Sequence, residues 1–216
     1  DKFIWGDLFR FDRSFWLVVA LCATFYSAIL PFRSFAIKFF IESHGMTREA
    51  AGAMNSMLPL AAMVATPIFG LLADRFGKRA LMMAGASFLI MPVYLLMAYH
   101  VAPLAVPVAM MGISYSLIPA VMWPSVAYIV PQRRLGTAYS VMTLVQQVGV
   151  AVMNWTIGRT NDAFEASAAN PDGYIAGMWI FSTLGIFGLI FAIALRRVET
   201  GPNAHGLETI TTKSEQ

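Results

Sequence analysis

The sequence predicts an all-α membrane protein built on six transmembrane helices. Three observations carry that prediction. Apolar residues make up 58% of the chain and charged residues only 12%, roughly half the charged share of an ordinary soluble domain. Six segments, 14–41, 50–72, 80–99, 102–130, 136–158 and 174–195, hold the roughly 20 mostly apolar residues that a helix needs to cross the hydrocarbon core. Threading them alternately across a bilayer puts eleven cations on one side: Lys2, Arg10, Arg13, Arg75, Lys78, Arg79, Arg133, Arg134, Arg196, Arg197 and Lys213. The other side receives three, Lys38, Arg48 and Arg159. The positive-inside rule then places both termini in the cytoplasm.

The elements follow in order. Residues 1–13, "DKFIWGDLFRFDR", mix aromatics with charges and predict a cytoplasmic arm at the membrane interface. The chain opens on Asp1 without a cleavable signal pattern. It is expected to be a processed product, an excised fragment or an incomplete chain.

The first span contains the single cysteine, Cys22, so no internal disulfide can form. Pro31 removes a backbone hydrogen bond and predicts a hinge. Arg33 is the most informative residue, because a cation within a span is costly unless paired, hydrated or snorkelling. Tyr26, seven residues earlier, shares its helical face. Three roles stay open for Arg33: an interfacial anchor, a partner for a substrate carboxylate, or an ion pair with another part of the protein. Lys38 is closer to the edge and is expected to snorkel. In the second span, Asn55 and Pro59 near the outer end suit packing or capping.

The third and sixth spans carry almost no strongly polar side chains. The fourth has Pro103, Pro107, Pro119 and Pro124 around Tyr115, Ser116 and Trp123, which predicts bending at weakened points. Tyr115 and Trp123 either line a cavity or anchor at the interfaces. In the fifth span Ser140, Thr143, Gln147 and Asn154 repeat at helical spacing as one polar stripe, with Gln146 on a neighbouring face. Such a stripe either binds solute or holds helices together. The sequon Asn154-Trp155-Thr156 falls inside the membrane and is discounted. The tail, 198–216, is polar, contains Gly and Pro, and is expected to be mobile and cytoplasmic. The membrane bundle therefore occupies 14–197.

The turn between the second and third spans reads "GLLADRFGKR", Gly70 to Arg79. It is not a phosphate-binding loop. Six residues rather than four separate Gly70 from the Gly77-Lys78 pair, and Arg79 stands where Ser or Thr is required. The two glycines allow close helix approach and a sharp turn. Arg75, Lys78 and Arg79 suit an anionic membrane surface. Asp74 needs a partner: Arg75, Arg79, or the free N–H groups at a helix N-terminus.

In that order, Gly70, Leu72, Ala73, Asp74, Arg75, Gly77, Lys78 and Arg79 resemble the signature loop of the major facilitator superfamily, G-x-L-a-D-r-x-G-r-r. In that family the motif lies between helices 2 and 3 and recurs between helices 8 and 9. The stretches "SFWLVVALCATFYSAILPFRSFAIKFF" and "RRLGTAYSVMTLVQQVGVAVMNWTIGRTND" resemble helices 7 and 11 of one branch, and the tail "NAHGLE" is similar to it too. That is the branch of the major facilitator superfamily domain-containing protein 1, which includes a lysosomal exporter of dipeptides.

The resemblance implies helices 7 to 12 of a twelve-helix transporter, made of two inverted three-helix repeats, with an N-terminal six-helix half as partner. It implies that the first and fourth spans line a cavity, the second and fifth also meet the other half, and the third and sixth face lipid. Arg33, Tyr26, Tyr115, Trp123, Thr143, Gln146, Gln147 and Asn154 are then candidate substrate-binding residues. Gly70, Asp74, Arg75, Gly77, Lys78 and Arg79 form the conformational motif.

No cluster of His, Glu and Cys suggests a metal site, and no nucleophile elbow suggests a hydrolase. No cofactor, enzymatic activity or nucleic-acid partner is expected. The favoured function is half of a secondary transporter moving a small organic solute, a peptide or another carboxylate-bearing molecule, by alternating access. The alternative is a six-helix membrane scaffold without transport activity. If the other half is missing, two copies of the chain are expected to pair as a homodimer, with Asp74 of each facing the Gly136–Thr137 helix end of the other.

Overall fold

The computed structural model describes residues 11–211. Residues 1–10 of the arm expected over 1–13, with Lys2 and Arg10, and Lys213 in the tail lie outside the described residues. Six helical stretches are long and apolar enough to cross a membrane: Arg13–His44, Arg48–Phe76, Arg79–Ala98, Ala105–Ile129, Gln132–Ala163 and Pro171–Glu199. Each overlaps one predicted span.

Helix α1 (Arg13–His44) starts where Asp12 accepts the Ser14 N–H. It stops at Gly45, whose φ of 64° is left-handed and whose N–H returns to Ile41 and Phe40. At Pro31, where a hinge is expected, α1 continues as helix, with Pro31 buried. Helix α2 (Arg48–Phe76) is capped by Thr47, which accepts the Ala50 N–H, with Glu49 in the first turn.

The third span breaks into α3 (Arg79–Ile90) and α4 (Val93–Ala98) at Met91-Pro92. The Met91 carbonyl accepts the Ser182 hydroxyl at 2.5 Å, so a neighbouring helix satisfies the break. The fourth span changes its helical pattern around Pro119. Helix α5 (Ala105–Leu117) gives way to one π-helical turn, Ile118–Met122, containing Pro119. Helix α6 (Trp123–Ile129) follows, with Pro124 in its first turn. A 3-10 turn, Gln132–Arg134, leads into α7 (Leu135–Ala163). A second, Pro171–Tyr174, leads into α8 (Ile175–Glu199).

Helix α1 is the axis of the bundle. It packs on α7 and α8, while the fourth span packs on α2 and on the third. Helix α8 closes the set by packing on α3 and α4. Exchanging spans one, two and three for four, five and six reproduces this pattern, as two like repeats demand. Three spans per repeat make their directions opposite. Lipid gives no hydrophobic drive to helix pairing, so close packing must supply it. Gly112 of α5 accordingly lies flat on α2; a Cβ there would stand 2.7 Å from the Ala61 Cβ. Aromatic edge-to-face contacts fill the middle, with Phe32 against Phe39, Phe40, Tyr94 and Phe181.

Two spans are left thinly covered. In their most apolar windows only 17% of the second span and 22% of the fifth are buried, against 61% of the first. Leu60, Met63, Val64 and Leu71 on α2, and Leu144, Val148 and Trp155 on α7, are exposed.

The described part of the expected 198–216 tail is packed: Val198 and Glu199 end α8. Residues 200–211 fold back over the start of α3, and Leu207 is fully buried. The Lys78 and Arg79 N–H groups donate to the Glu208 and Leu207 carbonyls at 3.2 and 3.0 Å.

Candidate functional site

An aromatic cluster forms where α1, α5, α6 and α7 meet, beside a groove along α7. The Trp123 indole N–H donates to the Tyr26 hydroxyl at 3.1 Å. Tyr26 meets Tyr115 edge to face, with centroids 6.4 Å apart. On its other side Trp123 stacks on Tyr139 at 5.6 Å. The Tyr139 hydroxyl donates to the Trp123 carbonyl at 3.3 Å. All four rings are half-buried. Tyr26, Trp123 and Tyr139 therefore each present an apolar face and a hydrogen-bonded polar edge, which suits an amphipathic solute better than a purely apolar one.

The fifth-span stripe runs along one side. Tyr139, Ser140, Thr143, Leu144 and Gln147 line an open groove of about 520 Å³. Ser140, Thr143 and Gln147 are exposed. The Ser140 hydroxyl also donates to the Gly136 carbonyl at 2.9 Å. The rest of the stripe behaves differently. Asn154 spends its amide on the Val150 carbonyl one turn back, at 3.0 Å, and does not line this groove. Gln146 is buried, and its Oε1 accepts from the Cys22 thiol at 3.8 Å. It ties α7 to α1 instead of facing the opening.

Arg33 lies seven residues beyond Tyr26 on α1, roughly 10 Å along the helix. It is half-buried. Its backbone carbonyl accepts the Asn55 amide at 3.5 Å, a tie to α2 that fits the packing role expected of Asn55. Its Nε is buried and has no hydrogen-bond partner among the described residues. A buried donor left without an acceptor is costly, more so on a cation. Lys38 is exposed, as snorkelling requires. It lines a second opening of about 380 Å³ with Ser34, Glu42 and Arg48. Glu42 there accepts the Tyr174 hydroxyl.

Of the candidates read from the sequence, Tyr26, Tyr115 and Trp123 are brought together by the fold. Tyr139, which joins them, was not among those candidates. The signal was present, since Tyr139 precedes Thr143 by four residues and so shares its helical face.

At the opposite end of α2, Asp74 is exposed and pairs with Arg79 at 3.4 Å, one of the partners expected for it. The Arg79 guanidinium is 3% exposed, lies over the Tyr128 ring at 4.5 Å and donates to the Tyr128 hydroxyl at 3.2 Å. Arg75 covers the Phe76 ring at 5.5 Å. Gly77 makes the sharp turn, with φ 64° and ψ −120°. Lys78 follows with φ 47°. Gly70 differs from expectation: a Cβ there would meet nothing within 4 Å, so it permits no close approach inside this bundle.

Two carboxylates missed by sequence reasoning stand near this end. Glu199 is 2% exposed and accepts from Ser14 and from the His205 N–H, the latter at 2.9 Å. Glu208 is held in the tail contact.

Comparison with known proteins bears on this arrangement. The model of the Major Facilitator Superfamily matches residues 9–213. The chain is similar to the lysosomal dipeptide transporter MFSD1 of Bos taurus, 34% identical over 156 residues, 72% of this chain and 33% of that protein. Its similarity to the protein of that name from Danio rerio is also 34%, over 72% of this chain and 34% of the relative. The corresponding figures for Homo sapiens are 32% over 157 residues, 73% and 34%. The matched region spans about a third of the length of each of these relatives.

Proposed function

The chain belongs to the major facilitator superfamily, and from that premise we propose that its six spans are the C-terminal half of a solute transporter that works by alternating access. The basic end is cytoplasmic. The substrate is a small organic solute carrying a carboxylate, with a dipeptide the favoured example. That preference draws on the transporters named above and on the chemistry of the groove. The carrying observation is Arg33, whose buried Nε has no partner among the described residues while the residue shares a helical face with Tyr26. A carboxylate there would satisfy the donor. Tyr26, Trp123 and Tyr139 would pack the body of the solute, and Thr143 and Gln147 would bond its peptide group.

The test is uptake of a labelled dipeptide into liposomes holding the complete protein. Arg33→Ala should cut uptake by roughly tenfold or more, as expected when a charged hydrogen bond is lost, with membrane insertion unchanged. Full uptake by Arg33→Ala would leave Arg33 an anchor. No uptake by the wild type would favour the scaffold alternative.

The exposed faces of α2 and α7 also need a cover. The N-terminal six-helix half of the same protein is the proposed one. A second copy of the chain is the alternative, and Asp74 together with exposed Gly136 makes it testable. Paired Asp74→Cys and Gly136→Cys substitutions should cross-link between copies only in that case.

A further inference from the structure

The turn motif and the tail are one unit. Helix α3 starts without a side-chain cap of its own, because Lys78 precedes it in a left-handed conformation. Its first N–H groups would be unsatisfied. Glu208, 128 residues after Ala80, supplies the cap: Oε1 accepts the N–H of Ala80 at 2.9 Å and of Leu81 at 3.1 Å. The other oxygen faces Arg196 at 3.7 Å. The tail backbone completes the contact, since the Ile210 carbonyl accepts from Arg79 Nη1 at 2.9 Å. That bond fixes the guanidinium whose other nitrogen reaches Asp74 and the Tyr128 hydroxyl. Gly77 is needed twice, for its positive φ and because a Cβ would stand 2.9 Å from the Glu208 carbonyl oxygen. Farther back, His205 anchors the strap, with one ring nitrogen 2.9 Å from Glu199 and the other 3.8 Å from Asp12.

We propose that the tail segment His205–Ile210 is a functional part of the turn: Glu208 clasps the tail to the start of α3, the clasped tail brings the Ile210 carbonyl onto the Arg79 guanidinium, and Arg79 sets the orientation of Asp74, the exposed carboxylate that this bundle offers to whatever closes against its basic end. Glu208 is thus a positioning residue for the conformational change. This rests on the transporter assignment above, because only a bundle that closes against another has use for an oriented Asp74.

Two readouts on the complete protein test it. The first is amide hydrogen exchange at residues 80 and 81, which needs no transport. Glu208→Ala should speed it by roughly tenfold, the scale of a lost helix cap. Glu208→Gln, which keeps an acceptor oxygen, should restore part of the protection. The second is uptake per folded protein in a double-mutant cycle. Glu208→Ala and Arg79→Gln should each slow uptake, and the double variant should be no slower than Arg79→Gln alone. Unchanged exchange in Glu208→Ala overturns the clasp. Faster exchange with wild-type uptake, or additive losses in the cycle, overturns the coupling to Asp74 and leaves a merely structural tail. Absence of uptake in the wild type strikes at the transporter assignment instead, and is told apart because the exchange result stands by itself.

Discussion

Arg33→Lys separates a charge from a fork. Lys offers a point charge, whereas the guanidinium offers two parallel donors to a carboxylate. If Arg33 binds substrate, uptake by Arg33→Lys should lie between the wild type and Arg33→Ala, with the loss mainly in apparent affinity. Equal uptake by the wild type and Arg33→Lys would contradict bidentate recognition. Arg33 was legible because a cation within an apolar span has few innocent explanations. Tyr26 and Trp123 were legible as polar-edged rings, though not as partners, because their contact joins residues 97 positions apart. Gln146 and Asn154 show the converse. Their polarity was visible, but only the packing reveals that one bonds Cys22 and the other its own helix. Glu208 was invisible as the cap of α3. In a polar tail nothing local distinguishes a carboxylate that caps a distant helix from one that meets water.

At the scale of the element, apolar runs located all six spans, because span length follows from bilayer thickness. The interior of a span was harder. Pro31, Pro92 and Pro119 all lie in apolar stretches, yet α1 continues through the first, the helix breaks at the second and a π turn surrounds the third. The outcome depends on packing against other spans, as where Ser182 of α8 donates to the Met91 carbonyl at the break. Close approach has the same long-range origin. Gly112→Val forces a side chain into the Ala61 Cβ and the Leu58 backbone. The expected cost is about 1–3 kcal/mol, read as a lower midpoint of thermal unfolding in detergent. An unchanged midpoint would mean that the α2–α5 contact is looser than described.

At the scale of the molecule, the chain is a membrane transporter-family bundle with two thinly covered spans. The groove along α7 must be wet if it carries solute, and dry if it only packs helices. Cys22, the one thiol of this sequence, is fully buried; with every cysteine outside this sequence replaced by Ser, a single introduced cysteine can be read against a quiet background. The direct measurement is labelling of Thr143→Cys in the complete protein by a membrane-impermeant thiol reagent added to either side, with and without dipeptide. Phe88→Cys on the exposed flank of α3 serves as the lipid-facing reference. The transporter account predicts that Thr143→Cys reacts from both sides, that dipeptide slows the reaction, and that Phe88→Cys stays unlabelled. Protection of Thr143→Cys equal to that of Phe88→Cys, from both sides and regardless of dipeptide, would contradict it.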